Sequence, residues 1–548
     1  MTRSFRSRIP SPKFIRRYTE LLKAQDLLSK LNYHDLRPQA FENVYIASQF
    51  KNLSSTMSSL QLQFQGNLMP ERVQKIFFTR LASLKNLTQV KISFIYFNFK
   101  DSKVLSRLFK SLLYLNKLKN LSLRFNGGGR SKGNQVDIIA KYLRRLTQLQ
   151  ALQLDFGRSM SPPPDGDIQS KDILDHLPFV FSKLTNLTKV GISAEGRKQI
   201  EAQALIEIFK GLQNLKNLSD LTFHLPLTLA PYENPSDPET LSRCFASLNM
   251  SSIRKLNLHP YAIVDFVSLG ELSRTLGKFT SLNTLCFSLY NSVAATEKSL
   301  ADLGSALASL TSLYSLHLIF PYSKDVEFGG IGRIASALNL LQNLLELRLD
   351  FTRDSDIQLV ELQQISTSLG NLARLQYLDL SFAFRKSLPD LAVISLSESL
   401  QKLVLLKSLS LNFRECMVIT KTGINAIVGA IENLDGLSSL TLNFTKNPHI
   451  DDKVVNRIGL LLLSLPSLYS ISLSLMECPK LVEKEDSLLG LFRCLKEARY
   501  IKEAFLEIPD SAMNQQEIQK MKQRRVFSFE IPESYDHSME EKLFPCFE

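Results

Sequence analysis

The residues of this chain best suited to chemistry are three histidines and a cysteine. His224 and His259 each stand three residues after the first leucine of a short alternating stretch, while Cys286 and His317 each stand one residue after such a leucine. If the stretches are neighbouring strands, the two histidines share a column about 5 Å apart, with Cys286 and His317 one column over. Imidazole and thiolate are ligands of zinc and copper. No carboxylate completes a set at matching depth, so the group reads as a polar ladder on a strand surface and no metal is expected. The segment "NGGGRSKGN" (126–134) offers glycines and a lysine but lacks the G-K-[ST] order of a phosphate loop, and reads as a flexible connection. No nucleophile, base and orienting acid are brought together by spacing, so the chain is expected to be no enzyme and to need no cofactor.

The elements that position these residues come from a recurring phrase. "LGNLARLQYLDLSF" (369–382) spaces its leucines by three and then by two, and kindred phrases include "LASLTSLYSLHLIF" (307–320), "LQKLVLLKSLSLNF" (400–413) and "IENLDGLSSLTLNF" (431–444). A helix has a period near 3.6 and a strand a period of 2, so each phrase turns from a helical approach into a strand. The first residue of each alternating part is an anchor: Leu60, Val90, Leu121, Leu152, Val190, Leu221, Leu256, Leu285, Leu316, Leu347, Leu378, Leu409, Leu440, Ile471 and Ala504. These fifteen units have a modal spacing of 31, stretched to 38 after Leu152 and 35 after Leu221. A fixed period of this size is the mark of a solenoid, in which no unit can bury its own apolar edge and stability comes from stacking neighbours.

Within a unit, alternation sends Leu378, Leu380 and Phe382 inward and Tyr377, Asp379, Ser381 and Ala383 outward. A phenylalanine recurs four residues after the anchor at Phe64, Phe94, Phe125, Phe156, Phe320, Phe351, Phe382, Phe413 and Phe444. Burying one such ring is worth about 1.5–3 kcal/mol. A stacked phenylalanine spine is therefore predicted.

With its L-x-x-L-x-L phrases and helix-like segments such as "GGIGRIASALNLL" (329–341) and "KTGINAIVGAIENL" (421–434), the chain resembles the leucine-rich repeat family over roughly residues 44–508, and most of all the ribonuclease-inhibitor-like subfamily. The resemblance implies an α/β fold: a solenoid, or horseshoe, with a parallel sheet on the concave face, helices on the convex face and partners commonly on the sheet. The asparagine that the family carries after its strand stands only at Asn126, so the phenylalanine spine is expected in place of an asparagine ladder.

Three regions follow: residues 1–43, a basic arm with a capping or docking helix; residues 44–508, the solenoid; and residues 509–548, a tail that is basic and then acidic. The net charge is +13, and residues 1–23 supply +6 of it through Arg3, Arg6, Arg8, Lys13, Arg16, Arg17 and Lys23 against Glu20. In the segment 11–32, Ser11 as cap, Pro12 at the first helical position and Phe14, Tyr18, Leu21 and Leu28 on one side suggest the helix. In "RSRIPSPKF" (6–14), Ser7, Ile9 and Pro10 are similar to the S-x-I-P motif read by microtubule end-binding proteins, and the Arg- and Ser-rich arm is also similar to a mitochondrial presequence, although Pro10 and Pro12 work against the helix that signal needs. The bland alternative is a solvated basic tail. The six cysteines show no C-x-x-C pattern, and no apolar run reaches the roughly 18 residues of a membrane span. An intracellular place is expected, cytoplasmic or cytoskeleton-associated, with a mitochondrial one as the alternative.

The outward strand positions mix signs. Lys91, Arg124, Lys189, Lys255, Arg348 and Arg414 stand against Asp155, Glu195, Asp220, Glu346, Asp350, Asp379, Glu503 and Glu507, and most of the rest are Ser, Thr, Asn or Gln. Such a face lacks the clustered cations that nucleic acid requires, so nucleic acid is not expected on the concave face, while the basic arms could take it. The reading is a protein-binding scaffold or complex subunit whose partner meets Arg348, Asp350, Tyr377, Asp379 and Arg414, which mix charge with an aromatic ring on three successive units. The alternatives are a regulator of an enzyme partner, or a ribonucleoprotein subunit using its basic termini.

Overall fold

The computed structural model describes residues 30–31, 57–65, 71–95, 102–126, 133–156, 173–194, 202–224, 239–259, 266–288, 296–320, 330–352, 357–385, 387–482, 488–498, 500–508 and 527–529. Among them, fifteen strands each begin one residue before a predicted anchor. The chain divides into two compact units, residues 1–236 with 243–253 and residues 237–242 with 254–548.

In the first unit, strands Ser59–Gln65, Gln89–Ile95, Asn120–Asn126, Ala151–Asp155, Lys189–Ser193 and Asp220–His224 pair in parallel, each with the next in chain order. In the second, Lys255–Leu258, Thr284–Ser288, Ser315–Ile319, Glu346–Asp350, Tyr377–Ser381, Ser408–Asn412, Ser439–Asn443, Ser470–Ser474 and Glu503–Glu507 do the same. A helix intervenes between successive strands, and from Glu71–Ser83 to Ala202–Gln213 and from Phe266–Leu276 to Asp452–Ser464 successive helices pack on one another as the strands do. Each unit is an α/β solenoid of the leucine-rich repeat kind, with a parallel sheet and intervening helices. Register puts the anchors in one row, Leu347 beside Leu378, Leu378 beside Leu409 and Leu409 beside Leu440.

The phrase at 369–382 resolves as predicted. Helix Leu359–Leu369 ends in a turn in which Leu372 and Leu375 donate back three residues, to the carbonyls of Leu369 and Leu372. The Leu345 carbonyl then accepts from both Gln376 and Tyr377, which locks one unit to the next as the strand begins. Helices Ile331–Leu338 and Lys421–Ile431 fall inside the two segments read as helical. Gly304 sits where helix Glu297–Ser309 meets the following one, and a Cβ there would lie 2.6 Å from the Arg333 carbonyl carbon.

The phenylalanine spine is present. In the second unit the rings of Phe320, Phe351, Phe382, Phe413 and Phe444 stack in sequence at 4.6, 5.6, 5.7 and 5.7 Å, and in the first Phe94, Phe125 and Phe156 stack at 5.3 and 6.1 Å. The side chain of Phe64 lies outside the described residues, as does that of Asn126.

A buried polar row accompanies the spine, and it stands further along than the family's asparagine. Phe384, Glu415, Lys446 and Glu477, each six residues after an anchor, adopt left-handed φ angles of 64°, 58°, 61° and 54°. Such a conformation costs a non-glycine residue on the order of 1 kcal/mol or more. It turns the chain so that the next residue, Arg385, Cys416, Asn447 or Cys478, points into the core. There Cys416 Sγ donates to the Phe382 carbonyl at 3.0 Å, Cys478 Sγ to that of Phe444 at 3.2 Å, and Asn447 Nδ2 to those of Cys416 and Ile419 at 3.1 and 3.3 Å. Arg385 Nη2 donates to the Ile357 carbonyl at 3.0 Å. Spine and polar row therefore coexist in the second unit. Burial pushes the Cys416 thiol up to about 12 and that of Cys478 up to about 11, so both act as neutral donors.

At the ends, Lys30–Leu31 pair in parallel with Gln61–Leu62, and Phe527–Phe529 with Ala504–Leu506. Lys30 and Leu31 are thus strand, not the end of the helix read over 11–32. The rest of that segment, Arg3, Arg6, Arg8, Arg16 and Arg17, and, within the long joints after Leu152 and Leu221, residues 159–167 and 226–238 lie outside the described residues, as does most of the tail.

Candidate partner-binding face

Inward positions are buried in every described repeat strand, but outward positions differ along the second unit. On strands 255–258, 284–288 and 315–319 the outward Asn257, Cys286, Ser288, His317 and Ile319 are buried. On strands 346–350, 377–381, 408–412 and 439–443 burial alternates, with each outward residue half-buried or exposed. The predicted contact residues fall on the second, open stretch.

Arg348 and Asp379 are register partners, and Arg348 Nε lies 2.7 Å from Asp379 Oδ2 with 31% and 32% of the two side chains exposed. They meet as a neutral pair instead of presenting two separate charges. The same device joins Arg124 to Asp155 at 3.0 Å and Lys189 to Asp220 at 2.6 Å in the first unit. Opposite charges on directly facing strand positions stabilise a sheet modestly, which explains why the outward signs balance. Tyr377 is 48% exposed and stands between Glu346 and Ser408 in register. Glu346 in turn accepts from Ser315 Oγ at 2.9 Å.

Asp350 has a turn-forming role. Its Oδ1 accepts from the Thr352 amide at 2.9 Å, and the units below repeat this with Asn412 and the Arg414 amide at 3.1 Å and with Asn443 and the Thr445 amide at 3.0 Å. A short Asp or Asn side chain bonding the backbone two residues on closes the strand into its turn. Thr352 and Ser381 exchange a hydroxyl hydrogen bond at 2.8 Å, and Asn412 Nδ2 donates to Ser381 Oγ at 3.3 Å, so the row is laced across units.

Arg414 lies past the strand end, not on it. Its guanidinium carbon is 5.3 Å from the centre of the Phe384 ring and its Nε is 3.9 Å from Glu415 Oε1, while Lys446 Nζ bonds the same Glu415 oxygen at 2.9 Å. Ala383, read as outward, is buried because the chain has already begun its left-handed turn. Arg348, Asp350, Tyr377 and Asp379 are therefore brought together on two adjoining strands, with Arg414 at the edge of the third. The Asp/Asn turn row was legible as Asp350, Asn412 and Asn443 recurring three residues after an anchor, and the buried polar row as Cys416, Asn447 and Cys478 at intervals of 31.

The histidine and cysteine group is no surface ladder. His259, Cys286 and His317 are buried, with Cys286 Sγ 3.4 Å from His259 Nε2 and 3.3 Å from His317 Nδ1. His224, in the other unit, is buried too. Among the described residues no three His, Cys, Asp or Glu side chains converge to hold a metal, the five described cysteines are free thiols, and no helix is long and apolar enough to cross a membrane.

No protein-family model matches this chain, and no curated protein matches it. Among solved structures it is similar to a leucine-rich repeat protein of Leptospira interrogans, at 16% identity over 88% of this chain and 98% of that one with a TM-score of 0.36. The assignment to the leucine-rich repeat class rests on the parallel strands, their register and the intervening helices.

Proposed function

We propose that this chain is a non-enzymatic protein-binding scaffold or complex subunit of the ribonuclease-inhibitor-like type, holding a protein partner on the open sheet face at strands 346–412. The observation that carries this reading is Tyr377, an exposed ring beside the Arg348–Asp379 pair and next to strands whose outward positions are buried. Aromatic and arginine side chains dominate binding energy where partners meet, and hydroxyl and amide groups flank them here.

The test is cross-linked affinity capture from the native source, with bound protein quantified for each variant. Arg348→Ala, Tyr377→Ala and Arg414→Ala together should lower retention tenfold or more, on the order of 1.4 kcal/mol. Deleting residues 1–23 should leave retention in place. Full retention by the triple variant with loss on deletion would move binding to the arm.

A further inference from the structure

We propose a second binding surface, on the helix-to-strand edge of the first unit, and assign it to single-stranded RNA. Every helix between two repeat strands of that unit carries a basic residue in its last turn: Arg80, Lys110, Lys141, Lys183 and Lys210. A cation at a helix C-terminus complements the helix dipole, which is the structural reading. In the second unit Phe266–Leu276 and Leu489–Glu497 carry Arg274 and Lys496, yet the six helices from Glu297–Ser309 to Asp452–Ser464 have none in their last turns, so the fold does not demand it.

The turns that follow those helices extend the row. Lys85, Lys117, Lys119, Arg145 and Lys216 are exposed on them, and Asp220 is the one acid between the last helical turn and the anchor in any of these five units. That acid is already paired with Lys189, and Lys210 is itself paired with Glu207 at 2.6 Å. Successive turns stack side by side, since Lys117 Nζ reaches Asn86 Oδ1 at 2.8 Å and Asn186 Nδ2 reaches the Thr147 carbonyl at 2.9 Å. Cations from successive repeats of the first unit thus line one edge. Residues 57–224 hold 25 Lys and Arg against 12 Asp and Glu, whereas residues 225–548 hold 31 against 37.

Two exposed rings interrupt the row. Tyr114 is 59% exposed with Lys85 Nζ 5.1 Å from its centre, and Phe179 is 48% exposed with the Arg144 guanidinium carbon at 5.1 Å and Lys183 Nζ at 5.9 Å. Exposed rings and guanidinium planes among phosphate-binding cations are what unpaired bases stack on, while a duplex hides its bases. RNA presents unpaired bases in its loops and ends as a matter of course, so it is the assigned partner. This edge is separate from the outward sheet face, where signs balance.

Fluorescence anisotropy with the full chain and a labelled oligouridine of about twenty nucleotides tests the proposal. Binding should weaken steeply with salt. Lys117→Glu, Lys119→Glu and Arg145→Glu together should lower affinity at least tenfold and flatten the log–log salt slope by about 2, at roughly 0.7 per phosphate contact. The corresponding three Gln substitutions should act in the same direction while keeping the melting curve, which separates lost binding from lost folding. Tyr114→Ala should lower affinity several-fold and leave the slope unchanged. Wild-type affinity in the Glu and Gln triple variants, or loss of binding on deleting residues 1–23 alone, overturns the edge as the site. Equal binding of duplex RNA overturns base stacking, and equal binding of single-stranded DNA overturns the assignment to RNA. The Arg348, Tyr377 and Arg414 variant should bind oligouridine normally, so this proposal and the sheet-face reading fail separately.

Discussion

Strands 284–288 and 408–412 are built to one plan and meet different surroundings. Both send two large apolar residues inward, Leu285 with Phe287 and Leu409 with Leu411, and all four are buried. Outward, Cys286 is 2% exposed and Ser288 is buried, while Ser410 and Asn412 are half-buried. The repeat therefore dictates what each strand gives to the core and leaves the fate of its other face open. A buried outward face holds side chains that bond one another, such as His259, Cys286 and His317, and an open one tolerates paired charges such as Arg348 and Asp379.

The largest expected effect breaks this comparison if it fails. Cys286→Arg places an unpaired charge in a buried position and should destabilise the second unit by roughly 3–5 kcal/mol, whereas Ser410→Arg in the same column should change stability by less than about 0.5. Urea melts of the two variants decide it, and equal shifts would mean that the two stretches are alike.

The inward half of the comparison is tested on the spine. Phe413→Ala should cost about 3–5 kcal/mol, because its ring stacks on both Phe382 and Phe444 and the cavity left cannot close. Ser410→Ala, three residues earlier on the opposite face, should be nearly silent. Comparable losses would sink the inside and outside assignment.

A smaller effect concerns acid. Asp451 caps helix Asp452–Ser464, accepting from the Val454 amide at 3.1 Å, and it pairs with Lys421. Burial acts to raise its carboxyl, but the bonds from Lys421 and the Val454 and Lys453 amides, with the Lys421 charge, hold it below its ordinary value. The charged form is thus favoured by folding, so its stabilisation is full above the unfolded value near 4 and is lost as pH falls through the lower folded value. Asp451→Asn keeps a capping oxygen and removes the charge. It should cost about 0.5–1 kcal/mol at pH 7 and progressively less as pH falls below about 4, measured by denaturant melts across that range.

The smallest effect sharpens the open face. A double-mutant cycle on Arg348 and Asp379 should return about 0.2–1 kcal/mol, falling further in high salt, as for an exposed pair. A larger, salt-insensitive coupling would show that the pair is shielded like the neighbouring closed strands.

The anchors, the strand register, the inward residues and the phenylalanine spine are all legible in the chain. Alternation and a 31-residue period are local and repeated, so each unit carries its own instruction and stacking enforces it. The tertiary structure decided which outward positions are open, that Arg348 and Asp379 neutralise each other, that Asp350 closes a turn, and that Arg414 lies past its strand. It also decided that His259, Cys286 and His317 are buried. Those properties depend on what lies across a strand or above a sheet, contacts between residues about one period or more apart, and alternation along a single strand carries no record of them.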